Sequence, residues 1–195
     1  MNKRSGIDTR IRIIAAAMDV FSRKGYARAS IREIAKAAGI SIGGIYLYFR
    51  NKEGLYLSLL KNEMQVSAAK TKEIIESTKS PAEALSKYLE MHLKYAVRHK
   101  ELILLHIREH GFAFGMDIKR RFFGEQRQLI EKIIARGIRG GQFRKCDPKE
   151  TAKIIMGALR GIVLSMTLDD IAVSARTLND FFLIGLLNEK GGKRK

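Results

Sequence analysis

The stretch SIREIAKAAGISIGGIYLYFR, residues 30 to 50, packs two helix starts and one helix stop into twenty-one positions, and nothing else in the chain constrains its folding as tightly. Ser30 stands three residues before Glu33. Its hydroxyl can accept from the Glu33 amide while the Glu33 carboxylate returns to the Ser30 amide, closing a capping box. A helix is therefore predicted from Ile31. Ile31, Ile34, Ala35 and Ala38 recur at i, i+3, i+4 and i+7 and give it an apolar stripe, leaving Arg32, Glu33 and Lys36 for solvent or phosphate. Gly39 ends this helix, because glycine accepts a positive φ cheaply. Ile40 follows as a core contact, and Ser41 caps a second helix running from Ile42 through Phe49. Gly43 and Gly44 in its first turn cost about 1 kcal/mol each relative to alanine. That is poor for stability, but it lets the helix backbone come close to another surface, such as a phosphate backbone or a base edge.

Charge points the same way. The chain has 37 Lys and Arg against 20 Asp and Glu, a net +17, which favours a polyanionic partner. Ten basic residues against three acidic lie in residues 1 to 50. Residues 117 to 145 hold nine against three, and the tail adds Lys190, Lys193, Arg194 and Lys195. These later runs read as solvated helix faces rather than as a second anionic-ligand surface. A helix, a Gly turn and a helix also make an ordinary αα-hairpin, but an ordinary hairpin has no use for the exposed aromatics and the net charge.

Residues 10 to 60 resemble the DNA-binding domain of the TetR family of bacterial one-component repressors. The resemblance rests on Phe21, Gly25, Tyr26, Ser30, Ile31, Ile34, Ala35, Ala38, Gly39, Ile40, Ser41, Gly43, Ile45, Tyr46, Tyr48, Phe49, Lys52, Glu53 and Leu55. It implies that the second helix is the recognition helix and that Tyr46, Tyr48 and Lys52 hold phosphates or groove edges. Ile42, Gly44 and Leu47 depart from the polar residues common in the family, so base-edge hydrogen bonding should be sparse, and an Ile or Leu there can touch a thymine methyl. The expected DNA-contacting set is Ser30, Arg32, Ser41, Ile42, Gly43, Gly44, Tyr46, Leu47, Tyr48 and Lys52.

Helical periodicity dominates the rest, so the expected class is all-α. A helix-turn-helix domain of three helices over residues 1–55 would be followed by a larger helical domain over 56–195 for ligand binding and dimerisation. The first helix is predicted over Arg10 to Lys24, and a connecting helix over Lys52 to Ser77, capped by Asn51. Ser80, Pro81 and Glu83 combine an N-cap, a proline at the first helical position and a second capping box, starting a helix to about His99. Further helices are predicted over Glu101 to His110, Met116 to Arg139, Asp147 to Leu168 and Ala175 to Glu189. The last two are apolar on most of their circumference, with Gly157, Gly161 and Gly185 permitting close approach. A small reader gains from binding two half-sites, and the resemblance implies pairing through the last two helices as a four-helix bundle. Ile155, Leu159, Ile162, Met166, Phe181, Phe182 and Gly185 are the expected interface of an isologous homodimer.

Between these parts lies a middle rich in methionine and aromatic residues, which line adaptable apolar pockets. In the resembled family this region holds the inducer. Met64, Tyr88, Met91, Tyr95, Phe112, Phe123 and Met156 are the candidate contacts for an apolar or amphipathic small molecule. His92, His99, His106 and His110 all fall in the same stretch, and His106 and His110 are spaced i, i+4 beside Glu109. No glutamate lies between them as in HExxH and no cysteine cluster is near, so no metal or other cofactor is expected. The chain has no GxxxxGK, no GxSxG and no nucleophile beside a base, so no enzyme is expected. Cys146 is the only cysteine, which excludes an internal disulfide. No run of eighteen apolar residues and no signal-peptide core is present, so a cytoplasmic protein without a membrane partner is expected.

The sequence is thus read as a ligand-responsive transcriptional regulator that binds a palindromic double-stranded operator as a homodimer and is released by a small-molecule inducer. Repression rather than activation is carried over from the family. The alternatives are an inducer-independent architectural DNA-binding protein, and a metal-binding module using the histidine-rich middle.

Overall fold

The computed structural model describes residues 3–100, 103–104, 115–169 and 172–188, with side chains from residue 6 onward. Eight α-helices of five residues or more lie among them: α1 Lys3–Lys24, α2 Ile31–Ala38, α3 Ile42–Tyr46, α4 Lys52–Ser77, α5 Pro81–Arg98, α6 Met116–Arg139, α7 Pro148–Leu168 and α8 Ala175–Leu186. The fold is all-α, and the only strand-like pairing among the described residues is an isolated bridge between Phe143 and Leu187. The chain divides into two compact units, one of Met1–Gln65 with Glu101–Ile118, the other of Val66–Lys100 with Lys119–Lys195. The division falls inside α4, ten residues beyond the boundary expected at 55. Glu109, His106, His110, Phe112 and the basic tail from Lys190 lie outside the described residues.

In the first unit, α1 turns Ile13, Ala17, Val20 and Phe21 inward against Ile34 and Ala35 of α2, Ile45 of α3, and Leu55, Tyr56 and Leu59 of α4. Phe21, Tyr26 and Tyr56 close into an aromatic triangle with ring centroids 5.2 to 5.7 Å apart. Two expectations change here. The first helix begins at Lys3, seven residues early. Its first turns have tertiary neighbours: Gly6 lies beside the Tyr48 hydroxyl, 3.8 Å from where a Cβ would stand, and Arg10 covers the Phe49 ring at 5.3 Å. The second reader helix ends at Tyr46 instead of Phe49. Tyr48 and Phe49 both donate to the Ile45 carbonyl, tightening the last turn and dropping Phe49 into the core at 4% exposure.

In the second unit, α5 packs against both α7 and α8. Ile130, Ile133 and Ile134 of α6 join Leu85, Tyr88 and Leu89 of α5, Ile155 and Leu159 of α7, and Leu178 and Phe182 of α8 in one core. Gly137 near the end of α6 receives the Phe143 ring, and both Gln142 and Phe143 donate to the Gly137 carbonyl. Arg136 donates to the carbonyls of Ile75 and Thr78 at 3.2 and 3.0 Å, closing the C-terminal end of α4 with a cation where the helix dipole favours one.

The last helix stops three residues early. Leu187 takes an extended conformation because the Arg144 amide bonds the Leu186 carbonyl and the Asn188 amide bonds Gln142, drawing the chain into the bridge with Phe143. The second capping box is half formed. Ser80 accepts from the Glu83 amide at 3.3 Å, but the Glu83 carboxylate pairs with Lys87 and the Gln142 side chain takes the Ser80 hydroxyl and the Ala82 amide. By length and composition α7 alone, among the described residues, could cross a membrane. Its apolar residues Ile155, Met156 and Leu159 are spent on the second core.

Candidate functional site

The frame around α3 is built from caps. Ser30 accepts from the Glu33 amide while Glu33 accepts from the Ser30 amide at 3.0 Å, and Gly39 ends α2 in the left-handed region at φ 65°. Ser41 Oγ accepts from the Gly44 amide at 3.0 Å and starts α3. Lys24 pairs with Glu33 across the α1–α2 turn. The Lys24 ammonium, and then the bonds from Ser30, hold the Glu33 carboxyl down to about 2 from its ordinary 4.5. A carboxyl whose pKa falls on folding adds stability above its unfolded pKa and loses it as pH drops through the folded value. Wild-type Tm minus that of Glu33→Gln should therefore be greatest above about pH 5 and shrink to nothing near pH 2, in a thermal melt followed by circular dichroism.

This frame presents the short helix outward. Ile42 is 39% exposed, Tyr46 51% and Leu47 78%, while Ile45 between them is wholly buried and pins the helix to the core. The two glycines differ. A Cβ on Gly44 would stand 3.3 Å from Ser41 Oγ and 3.6 Å from Ile40, so its small size serves internal packing. A Cβ on Gly43 would meet nothing closer than 4.0 Å, so no neighbour in the chain requires glycine there. Arg32, Lys36 and Arg50 are exposed beside the helix and make no ion pair among the described residues. Arg50 was overlooked in the sequence; as the residue between buried Phe49 and the Asn51 cap, it has nowhere to point but solvent.

Three expected contacts are placed differently. The Lys52 ammonium donates to the carbonyls of Tyr26, Ala27 and Ala29 at 2.8, 3.3 and 3.1 Å and lies 4.4 Å from the centroid of the Tyr26 ring. Its three donors are spent inside the protein, where it braces the loop after α1. Lys52→Met should then lower stability by about 2 kcal/mol, the range for bonds to a charged group, and leave the salt dependence of DNA affinity unchanged, as urea melts and salt titrations would show. The Ser30 hydroxyl, committed to Glu33, is likewise structural. Tyr48 is half-buried and packs against the first core, so little more than its edge is available.

Of the candidate ligand contacts, Tyr88, Met91, Tyr95, Phe123 and Met156 all belong to the second unit and Met64 to the first; Phe112 lies outside the described residues. Tyr88 and Met156 are buried in the second core, and Arg160 stacks on the Phe123 ring at 3.6 Å from its centroid. His92 lies tilted against Tyr88 with centroids 4.4 Å apart, and His99 stacks on Tyr95 at 4.3 Å. Among the described residues no three metal-ligating side chains converge. Cys146 is a half-buried free thiol.

The expected dimer face needs correction. Ile155, Leu159 and Phe182 are 1%, 5% and 6% exposed within one chain, so they are core. Ile162 and Met166 are half-buried, and Phe181 and Gly185 are outward. The face that α7 and α8 actually show carries Ile154, Leu168, Phe181 and Ile184 at 49 to 78% exposure, with Gly157, Gly161 and Gly185 between them and nothing within 4 Å of their Cβ positions. Ile154, Gly157, Gly161 and Leu168 fall at i, i+3, i+7 and i+14, a helical stripe one position before Ile155 and Ile162.

The family model "Bacterial regulatory proteins, tetR family" matches residues 13–59, and "Tetracyclin repressor-like, C-terminal domain" matches residues 78–164. The chain is 27% identical over 164 residues to the fatty acid metabolism regulator protein of Bacillus subtilis, covering 82% of this chain and 84% of that protein. It superposes on the fatty acid degradation regulator FadR from Bacillus halodurans with a TM-score of 0.73 at 27% identity, over 90% of this chain and 98% of that one. It also superposes on Bacillus subtilis FadR in complex with stearoyl-CoA with a TM-score of 0.73 at 25% identity, over 89% and 95%. With the family's N-terminal regulatory model matched over residues 13–59 and its repressor-like C-terminal domain over residues 78–164, the chain belongs to the TetR family of ligand-responsive bacterial transcriptional regulators.

Proposed function

We propose that residues 1–55 bind a palindromic operator, that residues 56–195 bind a long-chain acyl ligand and pair two copies, and that the ligand releases the DNA. The observation that carries the reading is the outward display of Ile42, Gly43, Tyr46 and Leu47 on a helix locked from behind by Ile45 and capped by Ser41. Arg32, Lys36, Arg50 and Tyr46 supply phosphate contacts, while Ile42 and Leu47 meet thymine methyls in the major groove. An acyl-CoA inducer is supported by the Bacillus regulators above, one of them bound to stearoyl-CoA, and by the aromatic and methionine side chains of the second unit. The protein is a cytoplasmic regulator without catalytic activity of its own in this reading. Release requires the ligand to favour one of two reader spacings over the other.

The partner for the exposed α7 and α8 face is a second copy of this chain, since two readers on one DNA need a dimer and Gly157, Gly161 and Gly185 allow helices to approach closely. Ile184→Asp should convert the dimer to monomer in analytical ultracentrifugation and weaken operator binding at least tenfold, with the monomer's helix content retained. Mobility shift on fragments of the protein's own upstream DNA, at about 0.15 M salt with excess nonspecific competitor, tests the whole reading. A discrete shift abolished by stearoyl-CoA is expected. Diffuse, salt-sensitive binding would make it an architectural protein instead.

A further inference from the structure

The second core contains polar atoms that its own chain leaves unused. Gln126 lies on the inner face of α6 at 1% exposure, in register with Phe123 and Ile130. Its Oε1 accepts from Thr71 Oγ1 of α4 at 3.0 Å, but its Nε2 has no partner. Thr71 lies equally close to the Ser67 carbonyl, so the one hydroxyl proton is shared between two acceptors. His92 on α5 is the second such group. Its Nε2 is shut off from solvent and unpartnered, and the ring lies against Tyr88. Burial holds the imidazole pKa down to about 4 against a weaker upward pull from the Gln126 side chain, which lies close to the ring without making a well-formed hydrogen bond to its Nε2, so the ring is neutral at neutral pH.

A buried donor without an acceptor is costly, and a fold keeps one where something else supplies the partner. Both orphans suit the same kind of atom. The Gln126 amide has two hydrogens to give, and a neutral His92 protonated at Nε2 has one. A carbonyl oxygen has two lone pairs and can take one bond from each. The aromatic rings of Tyr88 and Phe123 and the surrounding aliphatic side chains suit the hydrocarbon attached to it. An acyl carbonyl is offered by a thioester and by an undissociated fatty acid alike.

We propose that His92 and Gln126 are the polar anchor of the ligand site and hold the acyl carbonyl of a long-chain ligand, with Thr71 orienting the Gln126 amide. This rests on the acyl-ligand reading above and adds the residues that would recognise the acyl group. A buried water bridging the two orphans is the competing occupant.

The test uses the full-length protein and three probes in isothermal titration: stearoyl-CoA, stearic acid, and S-octadecyl-CoA, a thioether with the same chain and head but no carbonyl. Wild type should bind the thioether at least about tenfold more weakly than stearoyl-CoA, the scale of one or two lost hydrogen bonds. Gln126→Met and His92→Phe should bring the two to parity by weakening stearoyl-CoA alone, with the Tm of the ligand-free protein unchanged or raised because an unpaired polar group is gone. Tighter binding of stearic acid than of stearoyl-CoA would identify the free acid as the source of the carbonyl and keep the anchor. Equal binding of thioether and thioester by wild type would overturn the anchor while leaving the acyl-ligand reading intact. Lower Tm in both variants with unchanged selectivity would overturn it too, in favour of a structural water. No binding of any probe would remove the acyl-ligand reading and the anchor with it.

Discussion

Tyr46→Ala is expected to weaken operator binding about a hundredfold while changing folding stability by no more than about 0.5 kcal/mol. The residue is half exposed at the end of α3 and lies outside the first core, so truncation removes little packing. On DNA each dimer loses two rings and two hydroxyls, one set per half-site. At about 1 to 2 kcal/mol per lost contact, two half-sites give roughly two powers of ten. Tyr46→Phe separates the parts: if the hydroxyl holds a phosphate, Phe should weaken binding to all sequences and shallow the salt dependence. Leu47→Ala should behave differently. An apolar side chain against a thymine methyl carries sequence preference, so the loss should concentrate on one base pair in each half-site. A Tyr46→Ala protein that binds as tightly as wild type would mean that α3 is not the reader.

Gly137→Ala is expected to cost about 3 kcal/mol, the upper end of the range for overpacking a filled core. The new Cβ would stand 2.1 Å from Phe143 Cδ2 and 2.6 Å from Cε2. Phe143 is 1% exposed, and its amide is tied to the Gly137 carbonyl at 3.0 Å, so the ring can neither swing out nor back away as a unit. Urea denaturation reads the loss directly, and a Tm fall of about 10 °C should accompany it. Phe143→Leu on its own should destabilise by leaving a void, but in the Gly137→Ala background it should recover part of the loss. That reversal of sign in a double-mutant cycle is specific to a steric conflict between the two residues.

The parts of this molecule that sequence revealed are those decided within one helical turn. The Ser30 and Glu33 box, the Gly39 stop, the Asp147 cap with Pro148 and the full extent of α4, α6 and α7 all follow from neighbours three or four positions away. What it missed was decided across longer separations. The early end of α3 comes from the burial of Phe49, and the early end of α8 from a bridge to residues some forty positions back. Lys52 looked like a free cation because the carbonyls that hold it belong to residues 26 to 29. Gln126 sits in a helix with seven basic residues, and its partner Thr71 lies fifty-five residues away. Choosing Ile155 and Phe182 for the dimer face failed because apolarity alone does not separate the stripe that fills a core from the stripe left over.

Helix α4 is clamped by a charged side chain at each end. Its first residue, Lys52, grips three carbonyls of the loop leading into α2, and its last turn is gripped in return by Arg136 of α6. Each clamp acts within its own unit: Lys52 holds the first turn of α4 to the loop before α2, and Arg136 holds its last turn to α6, so the helix is kept shut at the two places where an unclamped helix would fray.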